Sequence, residues 1–320
     1  MISKSFKTAS NFVKLIFILF SILAGFVIFM VLGIIISIPV FGVDLAFFSD
    51  ALNPSNPENI NLLKFLQSMY SIGLFVIPPI IIAFFFSGKI TIYLKISRAP
   101  GLALILLSAL IILFAFPLIN FLLEINQNIR FPESLSAFEE LMKQLEEEAE
   151  KTTALFLETN TFSVYLVNII ILAIIPAIGE EFLFRGIFQR LFHNWTKNIH
   201  IGIWVAAFLF SAMHMQFYGL IPRMVLGALF GYLLYWSQNM WVPIFAHFLN
   251  NAFAVTFYYV SGNIAKEAET IGTGKGAISQ VLISAILVAS LIYIFYRIRK
   301  EKQPKNLISI ISDNERDSEH

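Results

Sequence analysis

Cysteine is absent from all 320 residues, which excludes disulfides, thiolate metal sites and a cysteine nucleophile and leaves the redox compartment open. Charge is scarce too: Asp, Glu, Lys and Arg make up 13% of the chain, against roughly a quarter of a soluble domain, so a soluble globular protein is excluded. With 12 Pro and 16 Gly beside 34 Phe, neither a disordered nor a collagen-like chain fits. The net charge of +1 supplies no basic field, so nucleic acid is not a partner. No GxGxxG, P-loop, GxSxG or HExxH pattern occurs. Any catalysis must draw on Glu, His, Asn, Ser, Lys or Tyr.

What the chain has in quantity is apolar length. Stretches free of Asp, Glu, Lys and Arg cover 15–43, 65–88, 99–123, 159–179, 198–222, 224–265 and 276–296. Each is long enough for a helix to cross a bilayer, which takes roughly 20 residues. The run 224–265 holds two spans broken at Ser237-Gln238-Asn239. The expected fold is therefore an all-α, polytopic transmembrane bundle of about eight helices. The first run, preceded by Lys4, Lys7 and Lys14, is too long for a signal peptide core and is expected to be a retained anchor.

Every second loop is basic: 1–14, 89–98, 185–197 and the C-terminal tail. The others are acidic or neutral, and 125–158 carries eight glutamates against Arg130, Lys143 and Lys151. The positive-inside rule then places both termini in the cytoplasm of a plasma (inner) membrane protein, with membrane lipid as a partner. Leu135, Phe138, Leu141, Met142 and Leu145 recur at helical spacing, with Glu139, Glu140, Glu146, Glu147 and Glu148 opposite. That pattern predicts an amphipathic helix on the outer face, with a solvated connector as the alternative. The expected organisation is N-terminal transmembrane helices over 1–130, this extramembrane helix over 131–158, a core over 159–300 and a disordered cytoplasmic tail over 301–320.

Ionisable groups inside a bilayer are costly and mark cavities or partners. Here they cluster between 180 and 251. Glu180 and Glu181 interrupt an apolar pattern; Glu181 and Arg185, four apart, share a helical face and suit an ion pair. Glu180 points about 100° away, free to face a cavity where burial favours a general base. Phe210 and His214 are spaced i,i+4, as are His247 and Asn251. Glu180 lies 17 residues before Lys197 and His214 lies 17 after it, so a helical hairpin near 194–200 sets both at one depth. Taken singly, each residue has a bland reading, as packing for Phe210, a structural lock for Glu181–Arg185, or interhelical glue for the histidines and Asn250-Asn251.

In that order, Glu180-Glu181-x-x-x-Arg185, Phe210-x-x-x-His214 and His247-x-x-x-Asn251 resemble the three motifs of the CPBP family of intramembrane proteases, which includes CAAX prenyl endopeptidases and bacteriocin-processing proteins. The resemblance covers roughly 161–260. It implies endopeptidase hydrolysis of a peptide bond in a membrane-associated protein or peptide, with Glu180 and His214 activating water and His247 and Asn251 stabilising the oxyanion. Glu181, Arg185 and Phe210 would support them. It implies no cofactor, or, in the metalloprotease reading of the family, zinc held by Glu180, His214 and His247. Two alternatives remain open on sequence: a carrier or channel with a Glu/His relay, and an inactive scaffold.

Overall fold

The computed structural model describes residues 8–44, 59–158, 161–261 and 271–302 apart from residue 275, together with Phe6 and Leu52. Among the described residues all regular structure is helical. The helices are α1 Asn11–Phe41, α2 Ile60–Ser87, α3 Leu102–Gln127, α4 Ser136–Leu157, α5 Phe162–Thr196, α6 Ile199–Ala212, α7 Leu220–Ser237, α8 Trp241–Ser261 and α9 Ile278–Lys302. Each apolar run of the sequence produces one helix, or two where Ser237-Gln238-Asn239 breaks it: Gln238 turns left-handed at φ +53 and closes α7. Among the described residues six helices are long and apolar enough to cross a membrane. The helix α6, with 14 residues, reaches only about 21 Å. Residues 303–320, to which most of the expected disordered tail belongs, lie outside the described residues.

Exposure follows what a lipid solvent requires. Phe12, Phe20, Leu23, Ile35 and Val40 of α1 are exposed, and so are Ile278, Leu282 and Ile286 of α9. The buried groups include Glu180, Glu181, Arg185, Gln189 and His247. Apolar side chains gain nothing by leaving lipid, so small residues and polar pairs specify the helix contacts. Gly179 is one such place: a Cβ there would lie 2.7 Å from Phe75 Cβ, so only glycine lets α5 close on α2.

The helix α5 carries two π-helical segments, 169–174 and 181–188. These wide turns are characteristic of functional positions. The second begins at Glu181, immediately after Glu180, so the polar pair of the first motif sits at the change of winding. At the far end Lys197 is left-handed (φ +58) and Asn198 caps α6 through the amides of His200 and Ile201. The expected hairpin is therefore present, with α5 and α6 antiparallel.

The amphipathic helix forms over Ser136–Leu157, preceded by a 3-10 turn at Glu133–Leu135. Its polarity differs from the expectation. Leu135, Phe138 and Leu141 are exposed, whereas Glu139 and Glu146 face the protein. Glu146 accepts from the backbone amide of Tyr218, and Glu139 from Phe131 N–H and the Tyr218 hydroxyl. Those two glutamates border the apolar face rather than oppose it, because orphan donors of the 217–219 turn need acceptors there. The lysine Lys143 beside it and the Phe131 amide hold the Glu139 carboxyl below the ordinary range.

Candidate active site

The centre of the site is a buried chain of charge. Arg185 Nη1 meets Glu181 Oε1 at 2.8 Å, and the same oxygen takes a hydrogen bond from His247 Nδ1 at 2.9 Å. Arg185 also donates to the Gly227 carbonyl at 3.0 Å, and its guanidinium lies 4.6 Å from the Phe210 ring centroid and 5.3 Å from that of Phe230. A fully buried cation thereby has a carboxylate, a carbonyl and two aromatic faces, the set of partners such a group needs.

His247 is oriented from three sides. Glu181 takes its Nδ1–H, Phe230 stacks on its ring at 5.0 Å, and Phe210 meets it edge-on at 5.7 Å. Its remaining nitrogen, Nε2, faces Glu180 Oε2 at 3.8 Å. That distance is too long for a direct hydrogen bond and suits a bridging group. Glu180 Oε2 is buried without a hydrogen-bond partner, so one carboxylate oxygen awaits a donor.

His214 departs from the expected placement. The helix α6 ends at Ala212, and His214 sits just beyond, in the turn before Met215, which is left-handed at φ +53. Its Nδ1 bonds the Phe210 carbonyl at 2.9 Å. A carbonyl only accepts, so Nδ1 carries the proton and Nε2 is left as a free acceptor. The i,i+4 relation to Phe210 survives as a helix C-cap rather than as a shared helical face. Asn251 donates to the Leu172 carbonyl at 3.3 Å, inside the first π segment of α5, and accepts from Asn250 at 3.1 Å. Ser211 donates to the Leu220 carbonyl and takes no part in this set.

Glu180, His214, His247 and Asn251 line one cavity of about 220 Å³. Glu180 and His214 also line an adjoining space of about 540 Å³ that runs under α4, past Leu145, Glu148 and Thr152. The cavity thus opens toward the glutamate-rich end of the bundle, beneath the amphipathic helix.

Three contributors were missed on sequence. Gln67 and Tyr70 bring α2 to the site or its mouth. Arg223, tied to Gln216 through its carbonyl (3.1 Å) and side chain (2.6 Å), enters the same cavity. The last had a signal, since Arg223 alone breaks the charge-free stretch 198–265. Nothing in the pattern of α2 marks Gln67.

The metalloprotease reading would place zinc on Glu180, His214 and His247. Among the described residues no three His, Asp or Glu side chains are grouped to hold a metal ion. Each histidine spends its Nδ1 on the protein, on Phe210 and Glu181 respectively, which orients the ring without occupying Nε2.

Comparison with known proteins bears on the same segment of the chain. Residues 162–253 match the family model for type II CAAX prenyl endopeptidase Rce1-like proteins. Over 89 residues the chain is 34% identical to "Uncharacterized protein YpbD" of Bacillus subtilis (strain 168), covering 27% of this chain and 42% of that one. Over 87 residues it is 31% identical to "Putative membrane peptidase YdiL" of the same organism, covering 27% and 35%. The match thus spans less than half of either relative. No solved structure matches the chain. The matched segment contains all seven motif residues, so this part of the chain is similar to the Rce1-like type II CAAX prenyl endopeptidases.

Proposed function

We propose that the chain is an intramembrane endopeptidase that hydrolyses a peptide bond in a membrane-associated protein or peptide, with Glu180 as the base that activates water. The observation that carries this reading is the Glu180 carboxylate, buried and unpartnered at Oε2, facing His247 Nε2 across 3.8 Å in a cavity lined by polar side chains. A water bridging the two would lose its proton to Glu180 as its oxygen attacks the carbonyl carbon. His214, with Nε2 free, would hold the same water in line. The tetrahedral oxygen would be met by His247 at Nε2 and by Asn251 turned from Leu172. Glu180 then returns the proton to the leaving nitrogen as the C–N bond breaks, giving one new carboxyl and one new amine. Donors aimed at that oxygen are each worth roughly 3–4 kcal/mol of barrier.

Glu181, Arg185 and Phe210 position rather than react: they fix the His247 ring. This reading needs no metal step. It is tested by presenting reconstituted protein with a broad panel of membrane-anchored peptides; release of fragments supports it, and solute or proton flux without any cleavage overturns it in favour of a carrier.

The basic loops further suggest that the end bearing Lys95, Arg190 and Lys197 faces the cytoplasm, so that the cavity opens on the opposite side, under α4. The absence of native cysteine makes the check direct. An impermeant maleimide added to intact cells should label Glu148→Cys and spare Lys197→Cys, and the reverse pattern refutes the orientation.

A further inference from the structure

Away from the cavity, at the basic end of the bundle, a pocket of about 70 Å³ is enclosed by Tyr93, Lys95, Gln189, Arg190, His193 and Tyr235, with Arg185 as its inner wall. No carboxylate lines it. Lys95 is held in a left-handed conformation (φ +56), with its ammonium on the neutral Gln238 Oε1 at 2.6 Å. Arg190 lies over the Tyr93 ring at 4.0 Å. Among the described residues neither cation has an ion-pair partner. Burial and the charge of Arg190 bring the Lys95 ammonium down to about 8, which marks uncompensated positive charge.

Exposed lysines would satisfy the topological charge bias without any pocket. What they leave unexplained is a pair of buried atoms with no partner: Gln189 Oε1, on a side chain 4% exposed, and His193 Nδ1. The Gln189 amide nitrogen is committed to the Gly231 carbonyl at 3.2 Å, so its oxygen is the end left over. An oxygen acceptor beside two cations calls for a ligand that is anionic and also carries a hydroxyl.

We propose that this pocket binds a phosphate group with an adjoining O–H, supplied either by the headgroup of a phosphatidylglycerol-type lipid or by free hydrogen phosphate. Lys95 and Arg190 donate to the anionic oxygens, while Gln189 Oε1 accepts from the hydroxyl and His193 Nδ1 donates to the hydroxyl oxygen. The volume is that of about two waters, enough for one such group. Basic pockets between helices at a membrane surface are suited to lipid headgroups. Because Arg185 forms the inner wall, an occupied pocket braces the same helix that carries Glu180 and Glu181.

The test is thermal unfolding of the full chain. In detergent, sodium phosphate is compared with sodium chloride at equal ionic strength. In nanodiscs, phosphatidylglycerol is compared with phosphatidylmethanol, which is anionic but has no headgroup hydroxyl, and with phosphatidylcholine. A ligand that binds only the folded state raises the midpoint, here by about 2–4 °C. A rise with phosphate alone assigns the free anion, and a rise with phosphatidylglycerol over phosphatidylmethanol assigns the lipid. Lys95→Gln and Arg190→Gln should abolish either rise, and Lys95→Arg should keep it. Gln189→Met leaves the charge untouched and should lower the preference for the hydroxyl-bearing ligand even if the charge variants fail to fold. No rise with any probe, equal rises with both anionic lipids, or a rise that survives loss of Lys95 and Arg190 overturns the site.

Discussion

Replacing Glu181 by Gln should damage the fold and the chemistry together, because one oxygen holds both Arg185 and His247. Glu181 is 0% exposed and Arg185 is 2% exposed. After the change the guanidinium keeps the Gly227 carbonyl and the faces of Phe210 and Phe230 but loses its counter-charge. Removing one partner of a buried pair costs about 3–5 kcal/mol. The aromatic faces are present before and after and cancel from the difference, while the carboxamide oxygen still accepts from the guanidinium and keeps the loss at the lower end, about 3 kcal/mol. At the roughly 2–4 °C per kcal/mol of a chain near this size, the unfolding midpoint in detergent should fall by about 6–12 °C. The double variant Glu181→Leu/Arg185→Met, which removes both charges, should be more stable than Glu181→Gln, since no unpaired ion is left behind. Peptide hydrolysis should nonetheless stay low in the double variant, because His247 Nδ1 has lost its acceptor. A midpoint shift below about 2 °C for Glu181→Gln, or additive losses in the double variant, would refute the argument that this pair locks α5.

Two further outcomes follow from single contacts. Asn251→Ala should lower turnover by about 10²–10³-fold with little change in KM or unfolding midpoint, the signature of a lost oxyanion donor; an unchanged turnover removes Asn251 from the chemistry. Docking of α4 should weaken in acid: Glu139, whose folded value is depressed, contributes stability that is present above its ordinary value of 4.5 and is lost as pH falls through the folded one. Hydrogen exchange over 136–157 should therefore rise at the acid end of that window in wild type, and Glu139→Gln should exchange at the faster rate throughout; pH-independent protection contradicts the contact.

The helices were legible because length and the absence of charge are enough to specify a membrane span, and the break at Ser237-Gln238-Asn239 stood out as a polar interruption. The pairing of Glu181 with Arg185 was legible for a local reason, the i,i+4 spacing on one helix. Its second partner was not: the bond from His247 Nδ1 joins residues 66 apart in sequence, and no periodicity encodes which carboxylate a distant ring will choose. The equal-depth count correctly brought Glu180 and His214 to one cavity, yet it assumed helix as far as His214, whereas α6 ends at Ala212. The glutamates of α4 misled for a related reason. A helical wheel assigns faces from hydropathy alone, and here backbone donors at Tyr218 and Phe131 drew two carboxylates inward.

On the proposed mechanism Glu180 is the base of a hydrolytic reaction that requires no removable metal. Purified wild type and Glu180→Gln, both treated exhaustively with chelator, should be compared for cleavage of a membrane-anchored peptide in reconstituted vesicles, with unfolding midpoints recorded alongside. Wild type should keep its activity in chelator, and Glu180→Gln should unfold at a similar temperature while cleaving at least about 10²–10⁴-fold more slowly. Wild-type activity that vanishes in chelator and returns with zinc, or Glu180→Gln protein that cleaves at the wild-type rate, would contradict it.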